Sequence, residues 1–294
     1  MWSRLLLLFF ALALTGAAPI PDADDDYRAL FVLVRGTAIL SDTASDAEGN
    51  TLAGEAAHHT LTANVKQYID HRYRVSGAAS RIDYAVPELS DPMIQRVSLP
   101  SRAETGSMRS HQMELIAEIP YRLTSMESAS QHTIGWPLTL RAWAPKRHFT
   151  QGEQITFHIQ GNRPAFARIF DVPSEGDLIQ LLPNAFRTFR QFKPGLLYRI
   201  PDASKGEEFT FDVYPPYGKE TLLTIASDRP LGKVRYSNDA GEMFRQYRGT
   251  SRSLTTHFKH QLVENLKQDA RKHSGETVEV AEYYQSTWTL STGK

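Results

Sequence analysis

The sequence predicts an α+β protein in two parts. A small domain, residues 27–125, lays one helix on an antiparallel sheet; an antiparallel β-sandwich, residues 137–290, follows, carrying a helix over 253–273 and a closing strand. Three patterns predict it. Apolar residues recur at three- and four-residue spacing over 51–70 and 253–273, as on one helix face. Between 138 and 230 the apolar residues instead form short runs, several alternating with period two, and Gly, Pro and Asn punctuate the gaps. A small, polar stretch over 124–136 (TSMESASQHTIGW) divides the two patterns and is the expected domain boundary.

The start of the chain reads as an export signal over residues 1–23. Arg4 gives a basic start, Leu5 to Leu14 is an unbroken apolar run, and Thr15-Gly16-Ala17-Ala18 supplies small side chains for cleavage, with a cut nearer Ala23 as the alternative. Ten apolar residues rising about 1.5 Å each fall short of a hydrocarbon core about 30 Å thick, so no transmembrane anchor is expected. With no Cys to carry a lipid, the mature chain is expected in a bacterial periplasm or secreted. The absence of Cys also excludes a disulfide scaffold, a thiolate metal site and a Cys nucleophile. No N-x-S/T sequon occurs, which suits the same compartment.

Charge is balanced, 33 Lys and Arg against 33 Asp and Glu, which gives no whole-molecule attraction to nucleic acid or to an anionic membrane. The acidic start (Asp22, Asp24, Asp25, Asp26) is expected to be a disordered, solvated tail. Residues 233–273 carry nine Lys or Arg against four acidic residues, read as a solvated helix face and its leading loop, with an anionic docking surface as the alternative.

In the first domain, residues 29–40 (ALFVLVRGTAIL) are β-branched and apolar, and Gly36 is read as a bulge or turn. The helix over 51–70 is Ala-rich near its start, which lets it lie close on a sheet. Further strands are expected over 81–86, 94–99 and 113–123, the last marked by Pro120 as an edge or a strand end.

In the second part, strands are expected over 138–144, 154–160, 165–172, 177–182, 196–200, 208–214 and 220–227, enough for a sandwich. Leu254, Phe258, Leu262, Leu266 and Ala270 step by four along the later helix, with Gly275 as its stop. The last strand, 277–290, places Val278, Val280, Glu282, Tyr284, Ser286 and Trp288 on one face and Glu279, Ala281, Tyr283, Gln285, Thr287 and Thr289 on the other.

One turn is written sharply: GDLIQLLPNAF, residues 176–186. Pro183 ends a ladder because it lacks an N–H, Asn184 suits the turn, and Phe186 is expected to return to the core. The turn reads as structural; the alternative makes Asn184 and the following Arg187, Arg190 and Lys193 an exposed recognition edge. Tyr217 and Tyr247 belong to an aromatic-rich C-terminal third and join Asn184, Arg187 and Arg190 as the candidate interaction surface.

From Leu138 to Pro230 the chain resembles a bacterial domain-of-unknown-function family of secreted and envelope proteins, also found attached to caspase-like or kinase modules. The matching residues are Gly152-Glu153, Ala167 to Asp171, Gly176, Leu181 to Phe186, Ile200-Pro201, Pro216-x-Gly218-x-Glu220 and Ile225 to Pro230. The resemblance implies a β-sandwich without established catalytic residues. Gly36-Thr37-Ala38, an Ala-rich helix and the strands after it resemble the N-terminal domain of the flagellar-assembly T protein, although no lipidated Cys is present and His58, His59 and Thr60 dilute the Ala run.

Motifs for chemistry are missing. No G-x-S-x-G, P-loop or G-x-G-x-x-G occurs, so neither a nucleophile elbow nor a nucleotide cradle is written, and no cofactor is expected. His257-x-x-His260 sits within one helical turn but lacks a third ligand, so no metal is expected either. Glu207-Glu208, Glu88 and Asp91 read as surface carboxylates rather than an acid–base pair. The expected function is a non-catalytic binding or assembly module of the cell envelope, contacting a protein or cell-wall partner. The alternative is a hydrolase with a His, Asp and Ser site between the domains.

Overall fold

The computed structural model describes residues 23–103, 106–124, 135–188, 191–237, 242–272 and 278–294; apart from Ala23, the expected export signal lies outside them. The N-terminal part comprises β1 (Asp25–Ser41), α1 (Asp46–Arg72), β2 (Ile82–Tyr84), β3 (Ile94–Ala103) and β4 (Met108–Leu123). Ser45 caps α1 by accepting a bond from the Glu48 N–H, Asp46 and Glu48 sit in its first turn, and His71 and Arg72 in its last.

Gly36 is a correction. The register of β1 against β4 runs through Gly36↔Met113 without a break, so the glycine marks no bulge or turn. It is where α1 crosses the strand: a Cβ here would lie 2.2 Å from the Ala57 backbone nitrogen and 2.3 Å from the Ala53 carbonyl oxygen. The small residues of strand and helix are therefore one feature, a close approach that any larger side chain would block. Pro120 likewise stays inside β4, opposite Ala29. The Glu118 N–H points outward to the Met93 carbonyl, and position 120 faces the same side, in the gap between β3 and β2 where no N–H is needed.

The sandwich part adds β5 (Leu140–Trp143), β6 (His148–Thr150), β7 (Gln154–Ile155), β8 (Phe157–Gly161), β9 (Ala165–Val172), β10 (Leu178–Leu182), β11 (Gln191–Phe192), β12 (Tyr198–Ile200), β13 (Phe211–Asp212) and β14 (Lys219–Ser227). The chain ends with β15 (Arg245–Tyr247), α2 (Ser251–Lys272) and β16 (Glu279–Gly293). The expected helix stop, Gly275, lies outside the described residues. No helix among the described residues is long and apolar enough to cross a membrane.

The closing strand is a central one. β16 pairs antiparallel with β14 on one side and with β1 on the other, so one sheet runs β15-β10-β9-β14-β16-β1-β4-β2 through both parts of the chain. Its two faces follow the predicted alternation. Tyr284 and Trp288 enter the core against the small sheets β12-β8-β5 and β13-β7, whereas Ala281 and Tyr283 enter a second core under α2. α2 fills that second core with Leu254, Phe258, Leu262, Leu266 and Ala270, the residues that step by four. A third core lies between α1 and β1, β3 and β4.

The acidic start is not a free tail in the structure. Asp25 and Asp26 open β1 and continue its ladder along β16, Asp26 pairs with Arg28 at 2.9 Å, and Asp24 pairs with Arg147 at 2.7 Å. Asp24 and Asp26 remain exposed while pairing with arginines, and Asp22 lies outside the described residues.

One buried carboxylate ties α1, β16 and the sandwich together. Glu282 is fully buried; Arg163 donates to both its oxygens at 2.5 and 2.6 Å, the Tyr68 hydroxyl donates at 2.9 Å, the Leu138 N–H at 3.0 Å, and Arg72 lies 3.5 Å away. Burial nevertheless holds its carboxyl above the ordinary value and, with the charge of Glu282, pushes Asp228 up to about 7.

Candidate functional site

The candidate surface residues do not form one surface. The Leu182–Pro183 bond is cis, and Asn184 is buried at the turn: its amide donates to the Leu181 carbonyl at 3.0 Å, and its oxygen accepts from the Phe186 and Arg187 N–H groups at 2.9 and 2.7 Å. Arg187 is buried too and paired with Glu207, itself buried and accepting from the Asp202 N–H at 2.7 Å. The alternative of an exposed edge at Asn184 and Arg187 is not what the structure shows, since both are buried, and Glu207 is not a surface carboxylate. Phe186 also departs from expectation: it is 48% exposed and rests on Phe209, ring centroids 5.3 Å apart, instead of covering the core. Tyr217 packs on the sandwich core and Tyr247 on the α2 core, on opposite faces of the large sheet. Arg190 lies outside the described residues.

What the turn does build is a cleft of about 500 Å3 on the α2 face of β9, β10 and β15. Pro183 and Asn184 line one side; Arg168, Lys233, Tyr236 and Arg245 line the others. Arg168 donates to Gln180 Oε1 at 2.9 Å and to the Tyr236 hydroxyl at 3.1 Å, and the Arg245 guanidinium stands 5.0 Å from the centre of the Tyr236 ring. Gln180 closes the set by donating to the Pro183 carbonyl at 2.6 Å, so the turn and the basic wall hold each other in place.

On the other face of the same strands is a second cavity, of about 310 Å3, that sequence reasoning missed. Asp171 stands opposite Leu222 and Ile179 in the ladder, and Glu220 opposite Leu290, so both carboxylates point into the sandwich side with those apolar residues. The walls are Phe157, Phe211 and Phe244, with 64%-exposed Tyr214 at the mouth. Burial, with a smaller contribution from the charge of Glu220, pushes Asp171 up to about 7; burial raises Glu220 as well. The signal was present in period two: Ala167, Ile169 and Asp171 share one inward face.

Among the described residues, the acidic groups and the Ser–His pairs stand in different places. At the junction of the two parts Glu282 and Asp228 meet arginines and tyrosines, whereas Ser–His pairs occur elsewhere: Ser101 with His111 at 3.2 Å and Ser291 with His148 at 2.6 Å. His111 is fully buried, its Nε2 has no partner among the described residues, and its ring packs against Gly49 of α1. His257 bonds the Lys233 carbonyl at 2.7 Å, and among the described residues no three His, Asp or Glu side chains converge as metal ligands do.

Comparison with curated proteins and with solved structures gives no match. Residues 148–230, which run from the first residue of β6 past the end of β14, match a family described as a domain of unknown function, DUF4384.

Proposed function

We propose that the chain is a non-catalytic binding or assembly module of the bacterial cell envelope, exported by its N-terminal signal and holding a protein or cell-wall partner. The observation that carries this reading is the cleft beside the Pro183-Asn184 turn, where Arg168, Lys233 and Arg245 surround Tyr236. Arginine and tyrosine supply large contact area and charge-assisted hydrogen bonds at low conformational cost, the combination that binding surfaces favour. The signal-like start and the envelope occurrence of the family that residues 138–230 resemble support the compartment. The likeness of the N-terminal part to the flagellar-assembly T protein domain supports an assembly role.

The test is a photo-cross-linking residue at exposed Thr188, on the cleft rim, in cells making the full chain. A discrete adduct in the periplasmic fraction that disappears with Arg245→Ala is expected. No adduct above that formed from a cross-linker at exposed Lys66, or a full-length chain retained in the cytoplasm, would overturn the reading.

A further inference from the structure

The cavity on the opposite face of β9 and β10 carries an inference independent of the basic cleft. The charged residues lining it are Asp171, Glu220 and Asp212, all acidic, and no Lys or Arg forms an ion pair with Asp171 or Glu220 among the described residues. Glu220 accepts only a long bond, 3.5 Å, from the Thr292 hydroxyl; Asp212 at the rim accepts from Thr210 at 2.6 Å. Two half-buried carboxylates on neighbouring strands repel each other and cost stability, and no base among the described residues offsets that cost.

Three phenylalanines line the cavity beside the aliphatic Ile155, Ile179, Leu181 and Val213. Phe157 touches Phe211 at 5.2 Å between centroids, Phe211 touches Phe244 at 5.4 Å, Phe244 touches Phe209 at 5.3 Å, and Phe209 leads to the exposed Phe186. Aromatic faces carry negative potential and attract cations, most strongly where water is excluded. Carboxylates beside them add the opposite charge and, toward a guanidinium, two parallel acceptors. At about 310 Å3 the space lies at the small end of ligand pockets, room for one side-chain head rather than a saccharide chain.

We propose that this cavity is a binding site for an organic cation, the guanidinium or ammonium head of a basic side chain presented by a protein partner, held between Asp171, Glu220 and the Phe211 and Phe244 rings. Charge complementarity selects the occupant: three acids and no base among the described residues line the space, and these acids do not converge as metal ligands do.

Titration of the full mature chain with N-acetyl-arginine amide, followed through the ring resonances of Phe211 and Phe244, tests this. Saturable binding is expected at about pH 8, weaker by about tenfold or more at about pH 5.5 because the Asp171 carboxyl, raised to about 7, then carries a proton. A short peptide with a central Arg should bind more tightly than the amide, which separates a presented side chain from a free small cation. N-acetyl-citrulline amide, the neutral isostere, should not bind; Asp171→Asn should lose binding while keeping a cooperative melt, and Arg245→Ala, in the basic cleft, should keep it. Equal binding of the citrulline compound, equal binding by Asp171→Asn, or no saturable shift at about pH 8 would overturn the proposal. Loss of the Thr188 adduct with the titration intact would instead count only against the cleft.

Discussion

Glu282 and the Asp171–Glu220 pair are carboxylates of the same large sheet, the first fully buried and the pair half-buried, and the chain treats them differently. Around Glu282 it brings Arg163 from the segment after β8, Arg72 and Tyr68 from α1 and the Leu138 N–H from the start of the sandwich. Around Asp171 and Glu220 it brings phenylalanines. A buried charge met by arginines, a hydroxyl and an amide becomes part of the architecture, because removing any partner leaves another charge stranded. A buried charge left unmet persists where something outside the chain meets it, which is why the first reads as a clamp and the second as a site.

The contrast breaks or sharpens in four ways. The largest effect is expected at Glu282→Gln, which strands Arg163; denaturant unfolding should show a loss of about 3–5 kcal/mol. A loss below about 1 kcal/mol would make the clamp dispensable.

Asn184→Ala comes next. It removes a buried, neutral and fully bonded group whose oxygen accepts two N–H bonds, and about 2–3 kcal/mol should be lost. A wild-type melting temperature would return Asn184 to the list of recognition residues.

Asp171→Asn should do the reverse and stabilise the chain by about 1–2 kcal/mol at about pH 8, the difference shrinking as pH falls toward about 4. The sign follows from the direction of the shift. A carboxyl raised to about 7 contributes stability that is present below its unfolded value near 4 and lost as pH rises through 7; Asn removes that loss. Asp228, also raised to about 7, and Glu220 and Glu282 act in the same direction, while the lowered carboxyls of Glu153 and Glu264 lose their contribution only as pH falls below about 4. Melting temperature of the wild type should therefore peak near pH 5 and decline toward pH 8. A profile flat from 5 to 8 would contradict it.

The smallest effect belongs to Asp212→Asn at the exposed rim, within about 0.5 kcal/mol by the same unfolding measurement. A larger loss would mean that the rim supports the fold.

Much of the fold was legible because it is local. The step of four along α2, the Ala-rich face of α1 and the alternation of β9 and β14 each follow from neighbours a few residues apart. Even the central place of β16 had a signal, since Val280, Tyr284 and Trp288 on one face and Ala281 and Tyr283 on the other put large or apolar residues on both sides. Its partners were not legible. Pairing with β1 joins residues some 250 positions apart, and Arg163 meets Glu282 across 119 positions, distances over which no spacing rule operates. Gly36 shows the other limit: within a strand, a bulge and a close helix crossing ask for the same residue, and only the helix above it decides.

For the site, the shape of the Pro183-Asn184 turn was legible because its hydrogen bonds are contained in a few neighbouring residues. Asp171 and Glu220 were passed over because each is a single acid in an apolar strand. Their pairing depends on which strands become neighbours, and their character on the absence of a basic residue from a wall assembled from distant segments.

The most direct test of the contrast is the carboxyl titration of Asp171 followed by carbon NMR in the protein, alone and with N-acetyl-arginine amide. A midpoint near 7 that falls toward the ordinary value as the cation is added is the predicted result. A midpoint near 4 in the chain alone, indifferent to the cation, would contradict it.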